Sequence, residues 1–451
     1  MPALDVLSLE WTTKPSRDRL MATLVCNYLR TMNAEVVEGN VFESLSLIQR
    51  FKPKLVFITN SVGAPENLAA VKYAKSRGCR VLTLISEGNF QGDDEYLTEM
   101  IWGWNKEKRL YEDIHMQWST RTRDLTLRLF PELDGKIKVS GGVGFDNYKF
   151  IKPISREAFL DKWGKSRFSK IIGIGLWDFG CVCFSEDRRY PIFSKLYSPD
   201  QIKRFASDRN EFNRTLSDVI QSNPDVLFLL KEHPGVLHGD RASAIEGLRD
   251  RQNVLVLKNE ESIVDCIAVS DFWLVYESTT AMEAWLLGKS TCLLNPSGRD
   301  FPRDIINQGS PHVESSIQLN EAIKRFYDGG YLPGFAERSK GREDIIRQTI
   351  QWSDGLNHVR AGNQILDLLE NSEGIPGLQE LPSLTISRWI QKAKWFLHRT
   401  LGRIGYMRNP AIVEWDTMEL DRFSREMAID QDIYYLAQGL TRQRLRQTHA
   451  I

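Results

Sequence analysis

Val226-Leu227-Phe228-Leu229-Leu230-Lys231-Glu232-His233-Pro234-Gly235 reads as a buried strand that runs out into a polar loop. A second stretch repeats the arrangement, with Phe272-Trp273-Leu274-Val275 leading into Tyr276-Glu277-Ser278-Thr279-Thr280-Ala281-Met282-Glu283-Ala284. In an open parallel sheet, ligands bind in the crevice outside the carboxyl ends of the strands. Two polar clusters in that position, on strands of one sheet, point to a single binding crevice. The second cluster continues into a predicted helix, so its hydroxyls and free amides can face a phosphate.

Working outward, the same alternation covers most of the chain. Before residue 150, Val6–Leu9, Glu35–Val37, Leu55–Ile58, Arg80–Ile85, Met116–Trp118 and Ile137–Val139 read as strands. Helical patterns lie between them over 17–30 and 66–76, the second ending at the breaker Gly78. Residues 145–169 read as a connection. A second series begins with Ile171–Leu176 and includes Val254–Leu257 and Thr291–Leu294, with helices near 200–221, 240–249, 261–268 and 279–287. Repeated strand–helix units of this length imply parallel sheets covered on both faces. The expected fold class is therefore α/β. The expected domains are a Rossmann-like one over 1–150, a second over 151–375, and a helical C-terminal extension over 376–451.

Bulk properties narrow the function. The 451 residues carry 59 Lys+Arg and 59 Asp+Glu, and 42% are hydrophobic. That is a soluble globular composition without a global basic field to favour nucleic acid. The six cysteines are scattered, and only Cys181 and Cys183 are close, so no zinc set is completed and reduced, mostly buried thiols are expected. The seven histidines are also dispersed, and no metal site is expected. Asp5 and Glu10 interrupt the apolar positions at the N-terminus, where no signal-peptide pattern is found. No run reaches the roughly 18 apolar residues of a membrane span. A cytoplasmic protein is expected, with one place where a membrane surface comes into question. In Ser387–Arg403, Trp389, Ile390, Trp395, Phe396 and Leu397 interleave with Arg388, Lys392, Lys394, Arg399 and Arg403. A basic amphipathic helix with tryptophans can lie on an anionic membrane; a closing helix packed back across the domains is the other reading.

Lys231-Glu232-His233-Pro234, Ser270-Asp271, Ser278–Ala284 and Gly288-Lys289-Ser290 together resemble the C-terminal halves of bacterial surface-carbohydrate glycosyltransferases. The resemblance covers about residues 170–300. It is closest to capsule and O-antigen transferases that use CMP-activated ulosonic acids, such as the β-Kdo transferases. CDP-glycerol glycerophosphotransferases of teichoic acid synthesis look similar in this half. The resemblance implies a GT-B architecture, in which two Rossmann-like domains face a cleft, a CMP-sugar donor as substrate with no further cofactor, and a glycan or glycolipid acceptor.

Each candidate residue has a stated chemistry. Proline after His233 holds that residue's backbone extended, and His233 and Lys231 can donate to a phosphate. Ser278, Thr279 and Thr280 offer hydroxyls to the nucleotide, and Glu283 either completes a capping box with Thr280 or holds a ribose. Asp178, after the first strand of the second domain, matches the position of the β-Kdo transferases' nucleophilic aspartate, which the resemblance implies forms a covalent sugar adduct. The family's Gln-rich approach is absent here, and Trp177 stands before Asp178. Glu87, at an N-domain strand end, is the candidate base for the acceptor hydroxyl. Arg299 and Arg303 are suited to a donor carboxylate or phosphate. Asp146, after the Ser140–Gly144 glycine cluster, is what the resemblance implies to be a hinge into the second domain. Three alternatives to ulosonic acid transfer stand beside it: a CDP-glycerol-type transferase, a nucleotide-sugar epimerase of the same architecture, and a non-catalytic interaction protein.

Overall fold

The computed structural model describes residues 4–10, 17–85, 88, 94–149, 151–276, 278–298 and 305–370, and beyond these 389, 390, 393, 396 and 397. Its first sheet holds β1 (Val6–Glu10), β2 (Val36–Asn40), β3 (Leu55–Thr59), β4 (Arg80–Leu84), β5 (Ile114–Gln117) and β6 (Ile137–Val139), in the order β2-β1-β3-β4-β5-β6. The second holds β7 (Lys170–Gly175), β8 (Val226–Lys231), β9 (Val254–Leu257), β10 (Phe272–Val275), β11 (Ser290–Leu294) and β12 (His312–Val313), in the order β12-β11-β10-β7-β8-β9. Every pairing in both sheets is parallel. Counted from its own first strand, the second sheet has the Rossmann order 3-2-1-4-5-6.

The strand runs are apolar on both faces because both faces are covered. All five residues of β1 and of β3 are buried, as are the first five of β8. The cores confirm the layering. Ile172, Ile174, Phe228 and Leu230 of the second sheet pack with Phe212, Leu216 and Val219 of helix Pro199–Ser222. That helix starts on a full capping box, the Ser198 side chain accepting from Gln201 and the Gln201 side chain accepting the Ser198 amide. The helix read near 240–249 is shorter than expected, spanning Gly239–Ser243. Ala244 takes a left-handed conformation (φ 55°) that ends it.

Contacts divide the chain into two compact units, Lys152–Ile346 and Met1–Ile151 with the chain from Arg347 onward. Residues 347–375 are expected in the second domain from sequence; by contacts they group with the first unit. Helix Asn357–Glu370 instead buries Ala361 and Ile365 in the first unit's core, among Met21, Leu24, Val25 and Phe57. Gly362 lets it lie close on helix Arg17–Thr31, since a Cβ there would stand 2.3 Å from the Tyr28 ring. Asp146 fastens its start. The buried carboxylate accepts from the His358 amide at 2.6 Å, from His358 Nδ1 at 2.8 Å and from Asn357 Nδ2 at 2.8 Å. The residue read as a hinge is therefore an anchor for the returning helix.

Among the described residues no helix is long and apolar enough to cross a membrane, and no group of three or more His, Cys, Asp or Glu side chains is placed to hold a metal ion.

Candidate functional site

In the second sheet the chain winds outward from β7 to β8 and β9, then crosses back to β10 on the other side of β7. The carboxyl ends of β7 and β10 are thus the switch point at which doubly wound sheets bind ligands. β7 is built to leave room there. Gly173 pairs with Trp273, and a Cβ on Gly173 would lie 2.2 Å from the Trp273 ring; a Cβ on Gly175 would lie 2.4 Å from Thr280 Oγ1. The two glycines let the Trp273 indole lie across β7. Its Nε1–H donates to Thr280 Oγ1 at 3.0 Å. Ser278 Oγ stands 2.9 Å from the same oxygen and accepts the Thr280 amide at 3.3 Å. A fully buried indole therefore holds the hydroxyl pair in place over β7. No capping box forms here, since Thr280 is the first residue of helix Thr280–Leu286 and the N-cap Thr279 makes no side-chain cap bond. Glu283 lies in the first turn of that helix.

One further link rigidifies this end. Tyr276 Oη donates to Asp208 Oδ2 at 2.8 Å, and Ser297 Oγ donates to Asp208 Oδ1 at 2.5 Å. A buried carboxylate of helix Pro199–Ser222 thereby joins the loops after β10 and β11. Trp177, half-buried just past β7, packs on Phe179, Phe205 and Tyr276.

On the other side, ion pairs tie down the connection after β7, and the loop after β8 lies against it. Asp178 is only 3% exposed. Its Oδ1 accepts the Gly180 amide at 3.0 Å, and its Oδ2 meets Arg189 Nη2 at 2.7 Å. Arg189 also grips Asp187 through Nε at 2.9 Å and Nη2 at 2.6 Å, which lowers the Asp187 pKa and raises that of the guanidinium. His238 Nε2 stands 3.5 Å from Asp187. Gly235 passes so close that a Cβ there would be 2.9 Å from Arg189 Nη1. Asp178, the expected nucleophile, is thus a buried carboxylate that accepts the Gly180 amide and pairs with Arg189 of the same connection.

His233 is exposed, and its Nδ1 accepts the Gly235 amide at 3.1 Å. That bond leaves the proton of the neutral ring on Nε2. Pro234, beside it, is exposed as well. Lys231 does not join them. Its ammonium donates to the carbonyls of Lys258 and of Glu261, the latter at 2.9 Å, and burial lowers its pKa. It braces the loop after β9, with two of its three N–H donors on backbone oxygens. Glu87, Arg299 and Arg303 lie outside the described residues.

Sequence reasoning passed over Gly173, Gly175, Trp273, Arg189 and Asp187. The glycines did leave a signal, because alternate glycines inside an apolar strand mark a close approach on one face. It also passed over Glu10, the last residue of β1, at the corresponding switch between β1 and β3 in the first sheet. Glu10 is 1% exposed, and its Oε2 accepts from Thr59 Oγ1 at 2.7 Å. Burial, ahead of every other influence, raises its pKa from 4.5 to about 8.

No family model matches the chain, nor does any curated protein. Solved structures do match. S. aureus MnaA, in a co-structure with UDP, aligns with a TM-score of 0.52 at 13% identity, over 84% of this chain and 99% of that one. A UDP-N-acetylglucosamine 2-epimerase aligns with a TM-score of 0.51 at 15% identity, over 85% and 99%. A Listeria monocytogenes protein assigned as the same kind of epimerase aligns with a TM-score of 0.50 at 14% identity, over 84% and 100%. At such identities the likeness establishes the fold, which is the GT-B type with two Rossmann-like units. The motif resemblance pointed to CMP-ulosonic acid transferases; the structures that share the fold are described by UDP or by epimerisation.

Proposed function

We propose that the chain is a nucleotide-sugar enzyme that binds a UDP-sugar at the β7–β10 switch point and acts on the sugar of that donor as an epimerase. The observation that carries the binding half is the hydroxyl pair Ser278–Thr280, held by Trp273 at the carboxyl end of a glycine-cleared strand. In this reading Ser278, Thr279 and Thr280 hold the phosphates, His233 Nε2–H donates to them, and Glu283 takes the ribose hydroxyls. Uridine as the nucleoside follows the UDP and UDP-sugar names of the structures that share the fold. Epimerisation is preferred to transfer because Asp178, on which a retaining double displacement would depend, is committed to Arg189 and the Gly180 amide.

The binding half is tested by thermal shift with UDP, CMP, CDP and GDP. UDP is expected to raise the melting temperature most, and Thr280→Val to weaken UDP about tenfold, the value of one charge-assisted hydrogen bond. A preference for CMP would return the ulosonic acid reading. The chemical half is tested by NMR with UDP-N-acetylglucosamine and no acceptor. A second stereoisomer should accumulate, and in D2O it should carry solvent deuterium at the inverted carbon, since a C–H bond must break and re-form on the other face. Unchanged donor in the absence of acceptor, consumed only when a glycan is added, would overturn epimerisation in favour of transfer.

A further inference from the structure

We propose that the segment around Trp389–Leu397 seats this protein on an anionic lipid surface. The described residues here are helical and leave their apolar side chains in solvent: Trp389 is 69% exposed, Ile390 51%, Phe396 69% and Leu397 53%. They make up four of the eight large hydrophobic side chains exposed among the described residues, while the other four (Trp104, Leu237, Ile317 and Tyr331) are dispersed along the sequence. At 100° per residue, positions 389, 390, 393, 396 and 397 fall within a stripe of about 120°, the width of one buried helix face. An apolar face this coherent requires a cover.

Charge identifies the cover. From Leu381 to Val413 the sequence contains no Asp or Glu but carries Arg388, Lys392, Lys394, Arg399, Arg403 and Arg408. The chain as a whole has zero formal charge, so this positive block is a local concentration. A second copy would bring the same positive charge against it. A nucleic acid would neutralise the charge and leave Ile390 and Leu397 in water. An anionic bilayer satisfies both features, with apolar side chains entering the acyl boundary and each Lys or Arg near the headgroups contributing about 1 kcal/mol. Six charges in this stretch rule out a spanning segment, so the contact is with the bilayer surface.

The test is sedimentation of the full chain with sucrose-loaded vesicles of phosphatidylcholine, with or without phosphatidylglycerol. The protein should pellet with the anionic vesicles, remain in the supernatant with the neutral ones, and be released by salt. Two double variants, Trp389→Ser with Phe396→Ser and Arg388→Glu with Lys392→Glu, should each weaken vesicle binding at least about tenfold while leaving the melting temperature unchanged. The proposal is overturned if the full chain ignores anionic vesicles or if both variants bind as tightly. It also fails if the serine variant turns a dimer into a monomer without changing lipid binding, or if the chain prefers single-stranded nucleic acid to vesicles.

Discussion

Glu10→Gln should make the first unit more stable than the wild type at pH 9, by several kcal/mol, and leave the two nearly equal at pH 5. The Glu10 carboxyl is fully buried at the end of β1; Thr59 donates to one oxygen, and the other has no hydrogen-bond partner among the described residues. Burial raises its pKa to about 8, with Asp18 pushing the same way and Thr59 and Arg19 opposing. The folded state therefore holds the proton more tightly than the unfolded state. Its stabilising contribution is complete below pH 4.5 and is lost as pH rises through about 8. At 1.36 kcal/mol per pH unit, the full loss is about 5 kcal/mol. Glutamine keeps an acceptor for Thr59 and has no proton to lose. Urea denaturation of both proteins between pH 5 and pH 9 measures the difference. Parallel stability curves across that range would show that Glu10 ionises normally.

Gly173→Ala should cost the second unit about 3 kcal/mol, the upper end of the usual range for overpacking. The new methyl would meet Trp273 Cε3 and Cζ3 at 2.2 Å and Ser270 Oγ at 2.3 Å. Neither side can yield easily, since β7 is flanked by β8 and β10 and the Trp273 side chain has no exposure. Replacing Trp273 with leucine removes the obstacle. The double variant Gly173→Ala, Trp273→Leu should therefore lose much less than the sum of the single losses, a coupling typical of residues in direct contact. The same displacement moves the indole away from Thr280, so UDP affinity should fall in the Gly173→Ala variant that remains folded. Additive losses, or a Gly173→Ala variant as stable as the wild type, would refute the packing argument.

What could be read from the sequence followed from what is local. Val226–Leu230 and Phe272–Val275 are identifiable because a strand buried on both faces is apolar throughout, and a loop must follow where the polar residues begin. Ser278–Thr280 could be placed at a strand end for the same reason. The partners of these residues could not. Trp273 meets Gly173 because β10 returns to β7 after two intervening strands, and nothing near either residue announces that pairing. Asp178 looked like a free carboxylate because Arg189, eleven positions later, has no sequence signature of an ion-pair partner. Lys231 looked like a phosphate donor because its acceptors are main-chain carbonyls, which composition cannot reveal. Glu10 looked like a polar interruption in an apolar strand, when it is in fact part of the interior. Helix Asn357–Glu370 looked like the end of the second domain because its destination depends on Asp146, more than 200 residues earlier.

That returning helix also governs the order in which the molecule can be made. The first unit is interrupted after Ile151 and resumes only at Arg347, with all of the second unit spelled out between. During synthesis the second unit is complete before the ribosome has made the helix that covers Leu24 and Val25. The half begun first is finished last. Its exposed core must wait through the translation of nearly 200 residues, a delay of about 10–40 s at 5–20 residues per second. Chaperones should therefore engage this protein through the apolar face of helix Arg17–Thr31, and nascent chains stalled before Asn357 should remain protease-sensitive in their first 150 residues while Lys152–Ile346 already resists.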